Sequence, residues 1–152
     1  MSRTRAVVGL GNPFRRDDGV APVVLERLRD RPVADEVAVF DLGDAGFRLL
    51  HVLAEFDVVV VVDAVRFGGD PGEHVVARPD ELASLGEREG THDTAVLDLV
   101  ETSDRLEEAP ADVLVFGVQP ARTGYGEGLS DPVESAVPAL VDALAERLSP
   151  PE

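Results

Sequence analysis

The sequence predicts an α/β protein, a three-layer α/β/α sandwich around a mostly parallel, mixed sheet of about five strands. Three observations predict it. Val7-Val8-Gly9-Leu10-Gly11-Asn12-Pro13 reads as a strand running into a tight turn, and Asp17-Asp18-Gly19 opens a helix directly afterwards. Val58 to Val62 is an unbroken valine run, the pattern of a strand covered on both faces. Apolar segments with strand and helix periods then follow in the order βα βα β β αα β α, which places helices on both sides of one sheet.

Each element has its own warrant. Residues 5 to 10 form the first strand, and Val20, Val23, Val24 and Leu28 make the apolar stripe of the first helix. Pro22 sits in that helix's first turn, where a missing N–H costs nothing. Val37 to Asp41 is the second strand, turned by Leu42-Gly43-Asp44-Ala45-Gly46 into a helix from about Phe47 to Phe56. The third strand, Asp57 to Val62, should be central and ends on Asp63. A Gly/Pro turn through Gly68-Gly69-Asp70-Pro71-Gly72 leads to a short strand at His74 to Ala77, which such a turn permits to be antiparallel. Pro79 to Leu85 reads as one or two helical turns, Gly86 to Thr91 as a loop, and His92-Asp93-Thr94 as the start of a helix carrying Val96, Leu97, Leu99 and Val100. Asp112 to Gly117 is the last strand. The closing helix is predicted to have Asp131 as cap, Pro132 at its first position and Glu134 at its third, a capping box, with Pro138 bending or breaking it.

The chain has 152 residues, room for one domain over 1–152 with a substantial core. It contains no Cys, which excludes disulfides, thiolate metal sites and a cysteine nucleophile. Thirty acidic residues against fourteen arginines and no lysine give a net charge of −16, a surface that repels nucleic acid. Arg without Lys beside abundant Ala, Val and Asp reads as genome composition or a saline interior. The longest apolar run is too short to span a bilayer, and Met1 to Arg5 does not make a signal peptide. The expectation is a cytoplasmic protein with no membrane partner.

Candidate chemistry gathers at the strand ends, where open α/β sheets bind ligands. One of Asp17 and Asp18 suffices to cap the first helix, which leaves the other over. Asp63, directly after buried valines, is a carboxylate in need of a partner or a metal. His51 in a helix pattern and His74 in an edge strand read as packing or surface residues, whereas His92 stands in a loop before a helix and can reach the cleft. The left-over acid of the Asp17-Asp18 pair, Asp63 and His92 together offer oxygen and nitrogen donors suited to a borderline divalent ion such as Ni²⁺ or Zn²⁺. Rival chemistries are poorly supported. The serines lack a G-x-S-x-G elbow, Phe14 stands where a dinucleotide fingerprint has its third glycine, and a P-loop needs a lysine.

Gly9-x-Gly11-Asn12, Asp17-Asp18-Gly19, Leu42 to Leu50 with its Gly43-Asp44-Ala45-Gly46 core, Val62-Asp63-Ala64, Thr91-His92 and Gly117-Val118-Gln119-Pro120 occur in that order over nearly the whole chain. Together they resemble the [NiFe] hydrogenase maturation proteases. The resemblance implies a phosphorylase/hydrolase-like sandwich and an endopeptidase. Such an enzyme removes the C-terminal extension of a [NiFe] hydrogenase large-subunit precursor after nickel insertion. Nickel would be carried by the substrate and recognised through Asp18, Asp63 and His92, with a monomer as the working form. Asp44 stands where the family usually has a small hydroxyl or thiol residue, Ala21 replaces a common glycine, and Asp93 follows His92 where Gln or Gly is more familiar. Asp18 is also shorter than the glutamate of some members. Two other readings share parts of this pattern. A nickel-binding chaperone of the large subunit would use the same ligands without cutting. Peptidyl-tRNA hydrolase shares Val8 to Pro13, but needs a histidine soon after them, and none occurs through Asp30.

Overall fold

A computed structural model describes residues 5–43, 48–79, 81 and 112–149. Parallel strands β1 (Arg5–Leu10), β2 (Ala38–Gly43), β3 (Val58–Ala64) and β5 (Asp112–Val118) form the sheet with the short antiparallel β4 (His74–Ala77). Their order is β2-β1-β3-β5-β4. The valine strand β3 is therefore central, between β1 and β5, as its composition predicts.

Alternation along the strands builds two cores. Val7, Val60, Val62 and Phe116 face helices α1 (Val20–Leu28) and α3 (Asp131–Leu148). Ala6, Val8, Val59, Val61 and Val115 face α2 (Leu49–Glu55) on the opposite side. Helices α1 and α3 also pack against each other. Six apolar residues of α3, from Val133 to Leu148, are buried, and each contributes about 1.5–3 kcal/mol by leaving water.

Several boundaries differ from expectation. β3 continues one residue past its expected end, through Ala64, and Asp63 pairs with Gly117 of β5. β2 extends to Gly43, whose positive φ of 57° turns the chain, and a 3₁₀ turn at Pro32–Asp35 precedes the strand. The capping box on α3 does not form. Ser130 holds the cap position, Asp131 begins the helix, and no side chain caps it. Ser130 instead donates its N–H and its hydroxyl to the buried Asp17 carboxylate. Pro138 does not break α3, because it lies on the exposed side of a helix anchored by its buried stripe.

The turns expected at 79–85, apart from Pro79 and Glu81, and the loop and helix expected from Gly86 to Val100, lie outside the described residues. So do Asp44, His92 and Asp93. No helix among the described residues is long and apolar enough to cross a membrane.

Candidate active site

The sheet order reverses between β1 and β3. One chain crossing leaves β1 toward β2, and the next strand pairs on its other side. Ligands bind in crevices at such switch points, beyond the carboxyl ends of the strands. Gly9 pairs with Val62, so the turn after β1 and the Asp63 end of β3 lie side by side.

The turn after β1 closes on itself. Asn12 Oδ1 accepts the Phe14 N–H at 2.9 Å, an Asx turn that reverses the chain at Pro13. The Asn12 N–H donates to Asp18 Oδ2 at 2.9 Å, and the Asp18 N–H donates to the Arg15 carbonyl at 3.1 Å. Asp18 thus sits in a 3₁₀ turn, Arg16–Gly19, which packs against β3. Two glycines permit this closure. At Gly19 a side-chain Cβ would stand 2.6 Å from Pro13 Cα, and at Gly11, with φ +135°, it would overlap the carbonyl oxygen of Asp18. Gly11→Ala should therefore lower stability by roughly 3 kcal/mol through combined strain and overlap. Thermal unfolding would show a fall in Tm of roughly 6–12 °C, and a shift under about 2 °C would remove the close-approach argument.

The two adjacent acids divide their work. Neither caps α1, whose cap position is Gly19 with no side-chain bond. Asp17 is a buried strut: Oδ1 accepts the Ser130 N–H at 2.7 Å, and Oδ2 accepts the Ala121 N–H, the Arg122 N–H and the Ser130 hydroxyl at 2.8, 2.9 and 2.7 Å. Burial raises its pKa, but the hydrogen bonds from Arg122, Ser130 and Ala121 outweigh this and hold it below the ordinary carboxylate value. Asp18 is the acid turned to the sheet end. Asp18 and Asp63 are only 4% and 1% exposed, and Asp63 Oδ1 accepts the Ala64 N–H at 2.8 Å. The structure thus brings Asp18 and Asp63 to neighbouring strand ends. The third residue of the expected set, His92, lies outside the described residues, and no cluster of three metal-ligating side chains occurs among those described.

The other histidines are surface residues: His51 is exposed, and His74 stacks on Phe116 with centroids 4.7 Å apart. No described serine stands as a nucleophile at the strand ends, since Ser130 is bound to Asp17, Ser135 is exposed within α3, and the Ser149 hydroxyl donates to the Ala145 carbonyl.

Two features were missed by sequence reasoning. Buried Gln119 fastens the segment after β3 to the end of β5, its Oε1 accepting the Phe67 and Gly69 N–H groups at 2.9 and 3.3 Å. The loop from Gln119 to Ser130 also brings arginines together around the site. Arg15 Nε donates to the Thr123 carbonyl at 3.1 Å, Arg66 Nη2 to Thr123 Oγ1 at 3.3 Å, and the Arg15 guanidinium lies 5.6 Å from the Tyr125 ring centre. The Arg15-Arg16 pair was the available signal.

Comparison with known proteins agrees with this geometry. The family model described as HycI, hydrogenase maturation protease, matches residues 22–147. The hydrogenase expression/formation protein HupM of Azotobacter chroococcum mcd 1 is 33% identical over 144 residues, covering 91% of this chain and 69% of that protein. Hydrogenase 3 maturation protease of Escherichia coli K12 is 28% identical over 93% of this chain and 88% of its own length. The E. coli hydrogenase maturating endopeptidase HybD superposes with a TM-score of 0.82 at 26% identity, covering 95% of this chain and 91% of that one. The [NiFe] hydrogenase maturation protease HycI of Thermococcus kodakarensis KOD1 gives 0.74 at 32% identity, covering 95% and 92%. Five strands in one mixed sheet, two buried carboxylates at its switch point and a family match over most of the sequence converge: the chain belongs to the hydrogenase maturation proteases, a family of peptidases.

Proposed function

We propose that this protein removes the C-terminal extension of a [NiFe] hydrogenase large-subunit precursor after nickel insertion, and that Asp18, Asp63 and His92 recognise the nickel carried by that substrate. The observation that carries the reading is two buried carboxylates, Asp18 and Asp63, at the carboxyl ends of adjacent parallel strands. Family membership supports the peptidase activity, and the names of relatives support a hydrogenase as its object. Carboxylate oxygens and an imidazole nitrogen form a donor set that suits a borderline divalent ion.

Water is the nucleophile in this reading, because the chain has no Cys and its described serines are placed elsewhere. A carboxylate of the site accepts a proton from that water, hydroxide adds to the scissile carbonyl carbon, and the proton leaves with the new amine. The substrate's nickel serves to place the peptide. The protein acts in the cytoplasm as a monomer.

The test is the mass of the cognate precursor, loaded with nickel or free of it, after incubation with this protein. The expected result is loss of a C-terminal peptide from the nickel-loaded form alone. A stable complex with no shortened product would favour the chaperone reading, and equal cutting of both forms would remove nickel recognition.

A further inference from the structure

In a chain of net charge −16, four arginines come from the loops at the carboxyl ends of three strands. Arg15 and Arg16 come from the turn after β1, Arg66 from the segment after β3, and Arg122 from the loop after β5. Among the described residues the ion pairs are Arg31 with Asp142 and Arg78 with Asp112, so none of these four arginines is neutralised by a carboxylate there. Glu127 and Asp131 are the exposed acids nearest in sequence to Arg122.

Two of the four line a groove of about 450 Å³ together with Leu129, Ser130, Asp131 and Pro132. Arg16 is held there at a cost. Its φ of 50° is the only positive value among the described non-glycine residues, a conformation that is uncommon for such a side chain. Backbone bonds on both sides enforce it, from the Arg16 N–H to the Gly126 carbonyl at 3.0 Å and from the Asp17 N–H to the Arg122 carbonyl at 2.9 Å. The guanidinium then rests against Gly126, where even a Cβ would come within 2.8 Å of it. The preceding residue, Tyr125, is 85% exposed, and Phe14, whose carbonyl accepts the Gly126 N–H at 2.9 Å, is 62% exposed. These are the two large apolar side chains left exposed among the described residues. Arginine and aromatic side chains are the residues that most often anchor protein interfaces.

We infer that this arginine groove with its aromatic rim is the docking surface for an acidic segment of the hydrogenase large-subunit precursor. The inference rests on the proposed function and adds the chemistry of the bound segment. Charge complementarity selects that occupant, since carboxylates are the groups that two unpaired guanidiniums bind best, in bidentate fashion. Its position supports the same choice, because the turn that carries Arg15 and Arg16 also carries Asp18, and a chain seated on the groove is led to the strand ends.

Arg122→Glu tests it, because the Arg122 backbone bonds do not depend on its side chain. With the nickel-loaded precursor as substrate, the variant should raise KM about tenfold or more with kcat within about twofold, and flatten the rise of KM with salt. Arg122→Lys should recover most of the loss. Arg147→Glu, an exposed residue of α3 away from this groove, makes the same change in net charge and should leave KM unaltered. Unchanged KM in Arg122→Glu, with the wild type cutting normally, would overturn the inference and leave the function standing. If the wild type binds the precursor without cutting it, the protease reading falls, and the Kd of Arg122→Glu for the precursor then decides the groove. A dimer of this chain that Arg122→Glu dissociates would give the groove to a second copy and overturn the inference.

Discussion

The proposed function predicts that Asp63→Asn leaves a folded protein that no longer shortens the nickel-loaded precursor. Asn keeps the shape of the side chain and the carbonyl oxygen that accepts the Ala64 N–H, so the end of β3 is retained. What it loses is the negative charge, and with it the oxygen to which the proposed function assigns nickel recognition and proton acceptance. Loss of such a group costs about 10²–10⁴-fold in rate. The check is paired: processing measured by mass of the product, and Tm by circular dichroism. Lost processing with Tm within about 4 °C of wild type supports a functional carboxylate. Full activity in the variant would reduce Asp63 to a buried structural acid and remove it from the site.

The neighbouring Asp17→Asn should do the opposite, weakening the fold first. One oxygen that faces three donors would become an amide facing them, leaving the part-buried N–H groups of Ala121 and Arg122 without the acceptor that a buried carboxylate gives them. Breaking a buried charged network by altering one partner costs about 3–5 kcal/mol, a fall in Tm on the order of 10 °C. The pH dependence carries a sign. The folded-state pKa of Asp17 lies below its ordinary value of 3.8, so the unfolded chain binds its proton first as acid is added. Its contribution is therefore complete above the unfolded value, declines as the pH falls below it, and is gone beneath the folded value. Urea unfolding from pH 7 to pH 3 should show the wild type losing stability below about pH 4. Asp17→Asn, less stable throughout, should lose less over that interval. Parallel curves would mean that the acid sensitivity resides in other groups.

These two acids show what the sequence could and could not convey. Asp63 was legible because the valine run before it has a single sensible place, the middle of a parallel sheet, and a charge at its end needs a reason to be there. The glycines of the first turn were legible as a turn, though not as the close approach to Asp18 and Pro13 that makes them necessary. Asp17 was not separable from Asp18, because what distinguishes them is a set of partners 104 to 113 residues further on. The failed capping box has the same origin. Asp131-Pro132-x-Glu134 is a sound local signal, but the helix begins one residue earlier, and the Ser130 at its cap position is tied to a carboxylate from the other end of the chain. The arginines around the groove escaped notice for a similar reason, being scattered singly and in one pair over three loops.

The Asp17 strut also dictates when the protein can work. Its four donors belong to residues 121, 122 and 130, near the end of the chain, so the turn bearing Asp18 cannot settle until nearly the whole polypeptide is available. Contacts between such distant segments form late, after the cost of closing a long loop has been met. A chain still emerging from the ribosome thus has its first strand and its first carboxylates long before it has a competent cutting site.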